Sequence, residues 1–209
     1  MTTIKFNEAK FLLNEADILL FRGNGIFSSL IKRASVGLYS HVGLASLWTS
    51  EKHSQWECVE FKENYGGRSI NLERYVRTHS GLIDVYRATP SWHKPKYFEQ
   101  EKIVKSQRFA LDERCITDTM RSLTGLPYGW KRIWWLAQQK IPILRFLYDV
   151  GKTTDDNLKD LIYPVCSTAV AYCYSKCGYD LVQNRADEYT EPSEISRSAV
   201  LSYLFTLES

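Results

Sequence analysis

Two runs of alternating residues, Tyr39 to Trp48 and Trp56 to Phe61, flank the polar stretch Glu51 to Gln55. A period of two puts successive side chains on opposite faces of a strand, so the pair reads as an antiparallel hairpin. That hairpin commits the middle of the chain to a sheet. Asp17 to Phe21 is short, apolar and flanked by turn residues, and Leu82 to Arg87 is closed by Pro90, so both read as further strands. Arg22-Gly23-Asn24-Gly25 and Asn64-Tyr65-Gly66-Gly67 read as turns.

Helical spacing dominates elsewhere. Phe27, Leu30, Ile31 and Ala34 share one face of Phe27 to Ser35, with Lys32 and Arg33 opposite. Tyr97 to Leu123 is helical in pattern, with a break near Leu111-Asp112. Gly125-Leu126-Pro127-Tyr128-Gly129 interrupts it, Trp130 to Tyr148 follows with Pro142 inside, and Lys152 to Asp160 is a polar loop. Val165 to Lys176 reads as a helix ended by Gly178, and Pro192-Ser193-Glu194-Ile195 opens a final one. The order predicts an α+β fold in one domain over 1–209, with its core at about 16–196 and an insertion or lid-like segment at 130–160.

With 209 residues, 44% hydrophobic and 13% aromatic, the chain can bury an ordinary core. A net charge of +3 without a basic run gives no expectation of nucleic acid. Five cysteines without a CxxC do not suggest a disulfide framework. The polar start, Met1 to Glu8, does not resemble a signal peptide, and no apolar stretch is long enough to span a bilayer. Residence in a reducing, cytoplasmic compartment is the expectation, with export by another route left open.

Cys166 stands where the Val165 to Lys176 helix begins, behind Pro164 and before the small polar residues Ser167 and Thr168. The dipole and free N–H groups of a first helical turn favour a thiolate. Cys173 and Cys177 farther along read as core packing. His41 is set inside a strand, where a base is held rigidly, whereas His53, His79 and His93 fall in polar or loop segments. A histidine base needs a third group to orient it. The second hairpin strand offers Glu57 and Glu60 on opposite faces, with strand register deciding between them. Glu60, between Val59 and Phe61, is the better candidate.

The series Asp17-Ile18-Leu19, Tyr39-Ser40-His41-Val42-Gly43, Val59-Glu60, Gly125-Leu126-Pro127-Tyr128, Cys166-Ser167 and Thr190-Glu191-Pro192-Ser193 resembles the circularly permuted branch of the NlpC-type cysteine peptidases. That branch groups YiiX-like and poxviral proteins and, more distantly, the lecithin–retinol acyltransferases. The resemblance runs from about residue 16 to about residue 196. It implies a papain-like fold, with the cysteine helix packed on an antiparallel sheet or half-barrel. Cys166 would then be the nucleophile, His41 the general base and acid, and Glu60 the orienting group. Tyr39, Tyr128 and Ser167 would lie near the substrate, and no metal or organic cofactor is implied. Val165, Thr168 and Gly129 depart from residues frequent in the relatives, which bears on substrate class.

The expected activity is hydrolysis of a peptide or amino-acyl amide, such as a cell-wall peptide, through an acyl-enzyme. Two alternatives stand beside it: a lipid acyltransferase or thioesterase using the same cysteine, and a catalytically silent binding module. Trp130 to Tyr148 interleaves aromatic with basic residues, which fits packing over the sheet, a lid, an oligomer contact or peripheral membrane contact.

Overall fold

The computed structural model describes residues 2–23, 37–89, 111–129, 165–182, 187 and 190–208. Its strands are β1 (Thr3–Lys5), β2 (Ile18–Arg22), β3 (His41–Thr49), β4 (Ser54–Lys62), β5 (Gly66–Asn71), β6 (Leu82–Ala88) and β7 (Leu201–Glu208). They form one seven-stranded sheet in the order β1-β7-β6-β2-β3-β4-β5. Only the β1–β7 pair is parallel among the described strands. The helices are α1 (Phe6–Ala9), α2 (Leu72–Thr78), α3 (Glu113–Ser122), α4 (Cys166–Lys176) and α5 (Pro192–Ile195). The protein is therefore mixed α+β.

Both faces of the sheet are covered, which is why β2 is apolar along nearly its whole length. Ile18, Leu20, Val42, Leu44, Val59 and Phe61 pack with Ala169, Val170, Cys173 and Tyr174 of α4 and with Ile116 and Met120 of α3. Leu19, Phe21, Ala45 and Cys58 pack on the other face with Leu72, Tyr75 and Val76 of α2.

The expected hairpin is β3–β4, and its register pairs Gly43 with Glu60 and Trp48 with Gln55. Gly178 closes α4 at φ +84°, where a side chain would be strained. At the other end, Thr168 in the first turn accepts from the Val165 N–H at 3.0 Å and donates to its carbonyl at 3.1 Å.

Five elements lie outside the sequence expectations, the short α1 among them. The turn at Asn64 to Gly67 runs directly into β5, and α2 follows, capped by the Asn71 side chain on the Arg74 N–H at 2.9 Å. β1 and β7 pair through the chain termini, far apart in sequence. The expected final helix is a single turn, after which the chain enters β7. The expected elements at 27–35 and 130–148, the loop at 152–160 and the start of the helical run from Tyr97 lie outside the described residues.

The cysteine reading is corrected. Cys115 of α3 and Cys177, just past α4, form a disulfide with their Cα atoms 6.0 Å apart. Helices α3 and α4 pack side by side, which brings together two cysteines 62 residues apart. Cys177 is thus a cross-link rather than simple packing, and the cysteine count carries no argument for a reducing compartment. Among the described residues no helix is long and apolar enough to cross a membrane.

Candidate active site

His41 opens β3 and is buried against the Phe21 ring, with centroids 5.1 Å apart. Its Nε2 meets the Glu60 carboxylate at 2.6 Å. Register explains the meeting: Glu60 lies opposite Gly43, so its side chain reaches along the face that His41 shares. A Cβ at Gly43 would stand 2.6 Å from the Cys58 sulfur and 3.2 Å from Glu60 Cβ, so the glycine leaves room for this approach. Glu57 points elsewhere and binds Arg121 Nη1 at 3.0 Å and the Ser69 hydroxyl at 2.5 Å.

Glu60 is fully buried and fully bonded. Arg68 of β5 donates through Nε at 2.8 Å and Nη2 at 2.6 Å to Oε1. The Tyr75 hydroxyl of α2 donates to Oε2 at 3.0 Å. The sequence reading missed both residues. The turn read at Asn64 to Gly67 would set position 68 opposite Glu63, whereas the β4–β5 register sets Arg68 opposite Glu60.

With Nε2 taken by Glu60, Nδ1 is the His41 nitrogen left for the Cys166 sulfur, which acts on the ring electrostatically. Nδ1 is buried and makes no geometrically complete hydrogen bond, so it is open to an incoming group. Burial disfavours a charged imidazole, but Glu60 and Cys166 outweigh it and lift the His41 pKa from 6.5 to about 9. Burial also disfavours the Glu60 carboxylate, yet His41 and then Arg68 pull its pKa from 4.5 to about 2. His41 and Glu60 therefore stand as an ion pair at neutral pH.

Tyr128 is buried in the same cluster as Cys166, and the sulfur acts electrostatically on its hydroxyl. Burial and the nearby sulfur push its pKa up, so the phenol keeps its proton. The turn that carries Tyr128 docks on β5 through Gly67, whose N–H meets the Leu126 carbonyl at 2.8 Å and whose carbonyl takes the Gly125 N–H at 2.8 Å. A Cβ at Gly67 would sit 2.4 Å from the Leu123 carbonyl, so a larger residue would push the turn away.

Two other expected residues are committed elsewhere. The Ser167 hydroxyl donates to the Thr190 carbonyl at 2.6 Å and ties the start of α4 to the segment before α5. The Tyr39 hydroxyl donates to buried Asp84 at 2.5 Å, and its N–H meets Ser193 Oγ at 3.3 Å. The structure thus gathers His41, Glu60, Cys166 and Tyr128, and gives Tyr39 and Ser167 partners within the protein.

No family model and no curated protein matches the sequence. The fold has a likeness among solved structures. The crystal structure of the metalloprotein YiiX from Escherichia coli O157:H7 superposes with a TM-score of 0.59 at 12% identity, over 94% of this chain and 98% of that one. The chain has a YiiX-like fold. At that identity the likeness speaks to architecture alone.

Proposed function

We propose that the chain is a cysteine hydrolase of the papain-like, permuted NlpC type, acting on a peptide or amino-acyl amide. The observation that carries the reading is the buried His41 ring, bonded to Glu60 through one nitrogen and facing Cys166 with the other. A residue needed only for packing would not be expected to hold that ring charged beside a helix-start thiol.

In the proposed reaction the Cys166 thiolate attacks the amide carbonyl carbon and forms a tetrahedral oxyanion. The N–H of Cys166 at the start of α4 and the protonated Tyr128 hydroxyl are the donors available to that oxygen. The His41 imidazolium gives its Nδ1 proton to the leaving nitrogen, the C–N bond breaks, and a thioester remains. Neutral His41 then takes a proton from water, whose oxygen attacks the thioester and releases a carboxylic acid and the thiolate. Glu60 keeps the imidazole oriented throughout.

YiiX is named a metalloprotein. Among the described residues no group of three or more His, Cys, Asp or Glu side chains is arranged to hold a metal ion. Glu60 is occupied by Arg68, Tyr75 and His41, so among the described residues Cys166 and His41 have no third donor grouped with them. The reaction is proposed without a metal. The acyltransferase alternative leaned on residues 130–148, which lie outside the described residues, and no described contact favours it.

The test is the pH dependence of iodoacetamide alkylation at Cys166, read by peptide mass spectrometry in the wild type and in His41→Ala. Fast alkylation near neutrality that slows at least tenfold in His41→Ala supports the reading. A sluggish thiol indifferent to His41 would sink it and favour the binding module.

A further inference from the structure

Charges in the site form a row that starts at half-buried Arg68. Arg68 forks onto Glu60 Oε1, and Glu60 Oε2 takes His41 Nε2 and the Tyr75 hydroxyl. The Cys166 sulfur lies beyond His41. The Arg68 guanidinium is held from outside, 4.4 Å over the Tyr65 ring and 5.8 Å from the Tyr75 ring. With Cys166 as thiolate the signs alternate along the row: plus, minus, plus, minus.

We propose that Arg68 is a positioning residue of this site: its fixed charge keeps Glu60 ionised in both protonation states of His41, so that His41 can release its proton to a leaving group. The proposal rests on the reading of Cys166 and His41 as nucleophile and acid.

When His41 gives up its proton, Glu60 loses its cationic partner while still buried. A buried carboxylate without a cation is costly, so an unassisted Glu60 would penalise neutral His41 and make it a reluctant acid. Arg68 removes that penalty, because a guanidinium does not deprotonate in proteins. It also repels the imidazolium across the carboxylate, which eases proton loss.

The groups around the pair come from several elements. Glu60 meets His41 from β3, Cys58 on its own strand, Arg68 from β5 and Tyr75 from α2. His41 meets Cys166 from α4, with Tyr128 beyond the sulfur. His79 packs on the Phe21 and Tyr75 rings, and Lys62 pairs with Glu63 at 3.6 Å. Of these, Arg68 is the cation bonded to the carboxylate whose charge does not titrate.

The test is an NMR titration of imidazole carbons in the full chain labelled at its four histidines, with His41 assigned by its loss in His41→Ala. In Arg68→Gln the His41 midpoint is expected to rise by one pH unit or more, a tenfold gain in proton affinity. In Arg68→Lys, which keeps the charge, it should stay near the wild-type value. A purely structural role has the opposite sign: a loosened Glu60 would let the midpoint fall toward 6.5. A fallen or unchanged midpoint in Arg68→Gln overturns the proposal.

Should Arg68→Gln not fold, Glu60→Gln is compared with Glu60→Gln/Arg68→Gln. The single variant leaves Arg68 unopposed and should have the lower His41 midpoint, and equal midpoints overturn the proposal. These readouts concern His41 alone. An inert Cys166 would fell the hydrolase reading without touching them.

Discussion

Two carboxylates in this protein are equally buried and similarly dressed, yet their partners suit different tasks. Asp84 of β6 accepts from Arg22 Nε at 2.7 Å, from Arg22 Nη2, from the Tyr39 hydroxyl at 2.5 Å and from the Thr206 hydroxyl at 2.6 Å. Glu60 of β4 likewise has an arginine fork and a tyrosine hydroxyl, but its fourth donor is His41. The partners of Asp84 keep their protons across the neutral range, so that cluster cross-links β2, β6, β7 and the chain before β3 without responding to pH. One histidine in place of one threonine gives the Glu60 cluster a proton it can exchange.

Replacing each carboxylate by its amide should separate the two clusters most sharply. Glu60→Gln is expected to lower proposed hydrolysis by about 10²–10⁴-fold, the usual reach of acid–base assistance, and to move the His41 midpoint down. Asp84→Asn should leave the His41 midpoint in place while costing about 1–3 kcal/mol in urea denaturation, since it takes the charge from a buried carboxylate that half-buried Arg22 bonds. An Asp84→Asn variant that shifts His41 would break the distinction.

The pH dependence of stability follows from the same pair. His41 is raised from 6.5 to about 9, so its contribution is complete below pH 6.5 and fades as pH rises through about 9. Glu60 is lowered from 4.5 to about 2, so its contribution is complete above pH 4.5 and fades as pH falls through about 2. Urea midpoints should show a plateau contribution between pH 4.5 and 6.5 that disappears in Glu60→Gln and persists in Asp84→Asn.

Reduction of the Cys115–Cys177 bond opens a loop of 62 residues and should cost about 2–4 kcal/mol in a thermal melt. It should spare the His41 titration, because the bond lies at the far end of α4 from Cys166. Gly43→Ala should cost about 1–3 kcal/mol by overpacking and also slow Cys166 alkylation, because its Cβ presses on Cys58 and Glu60. The smallest effects belong to the two tyrosines. Tyr75→Phe and Tyr39→Phe should each cost about 0.5–1.5 kcal/mol for the lost donor, and only Tyr75→Phe should move the His41 midpoint.

Residue pattern alone identifies the β3–β4 hairpin, β2, β6, α4 and its Gly178 stop, because alternation, turn chemistry and helical caps act within a few residues. It also singles out Cys166, His41 and Glu60 as candidates, since a helix-start thiol, a strand histidine and a strand glutamate each carry a local signature. Tertiary structure decided that Glu60 rather than Glu57 meets His41, because strand register fixes which face a carboxylate occupies. It alone brought Arg68 and Tyr75 to that carboxylate, paired β1 with β7, and joined Cys115 to Cys177. Each of these is a contact between segments whose meeting depends on how the whole sheet and its helices assemble, and no local periodicity encodes that.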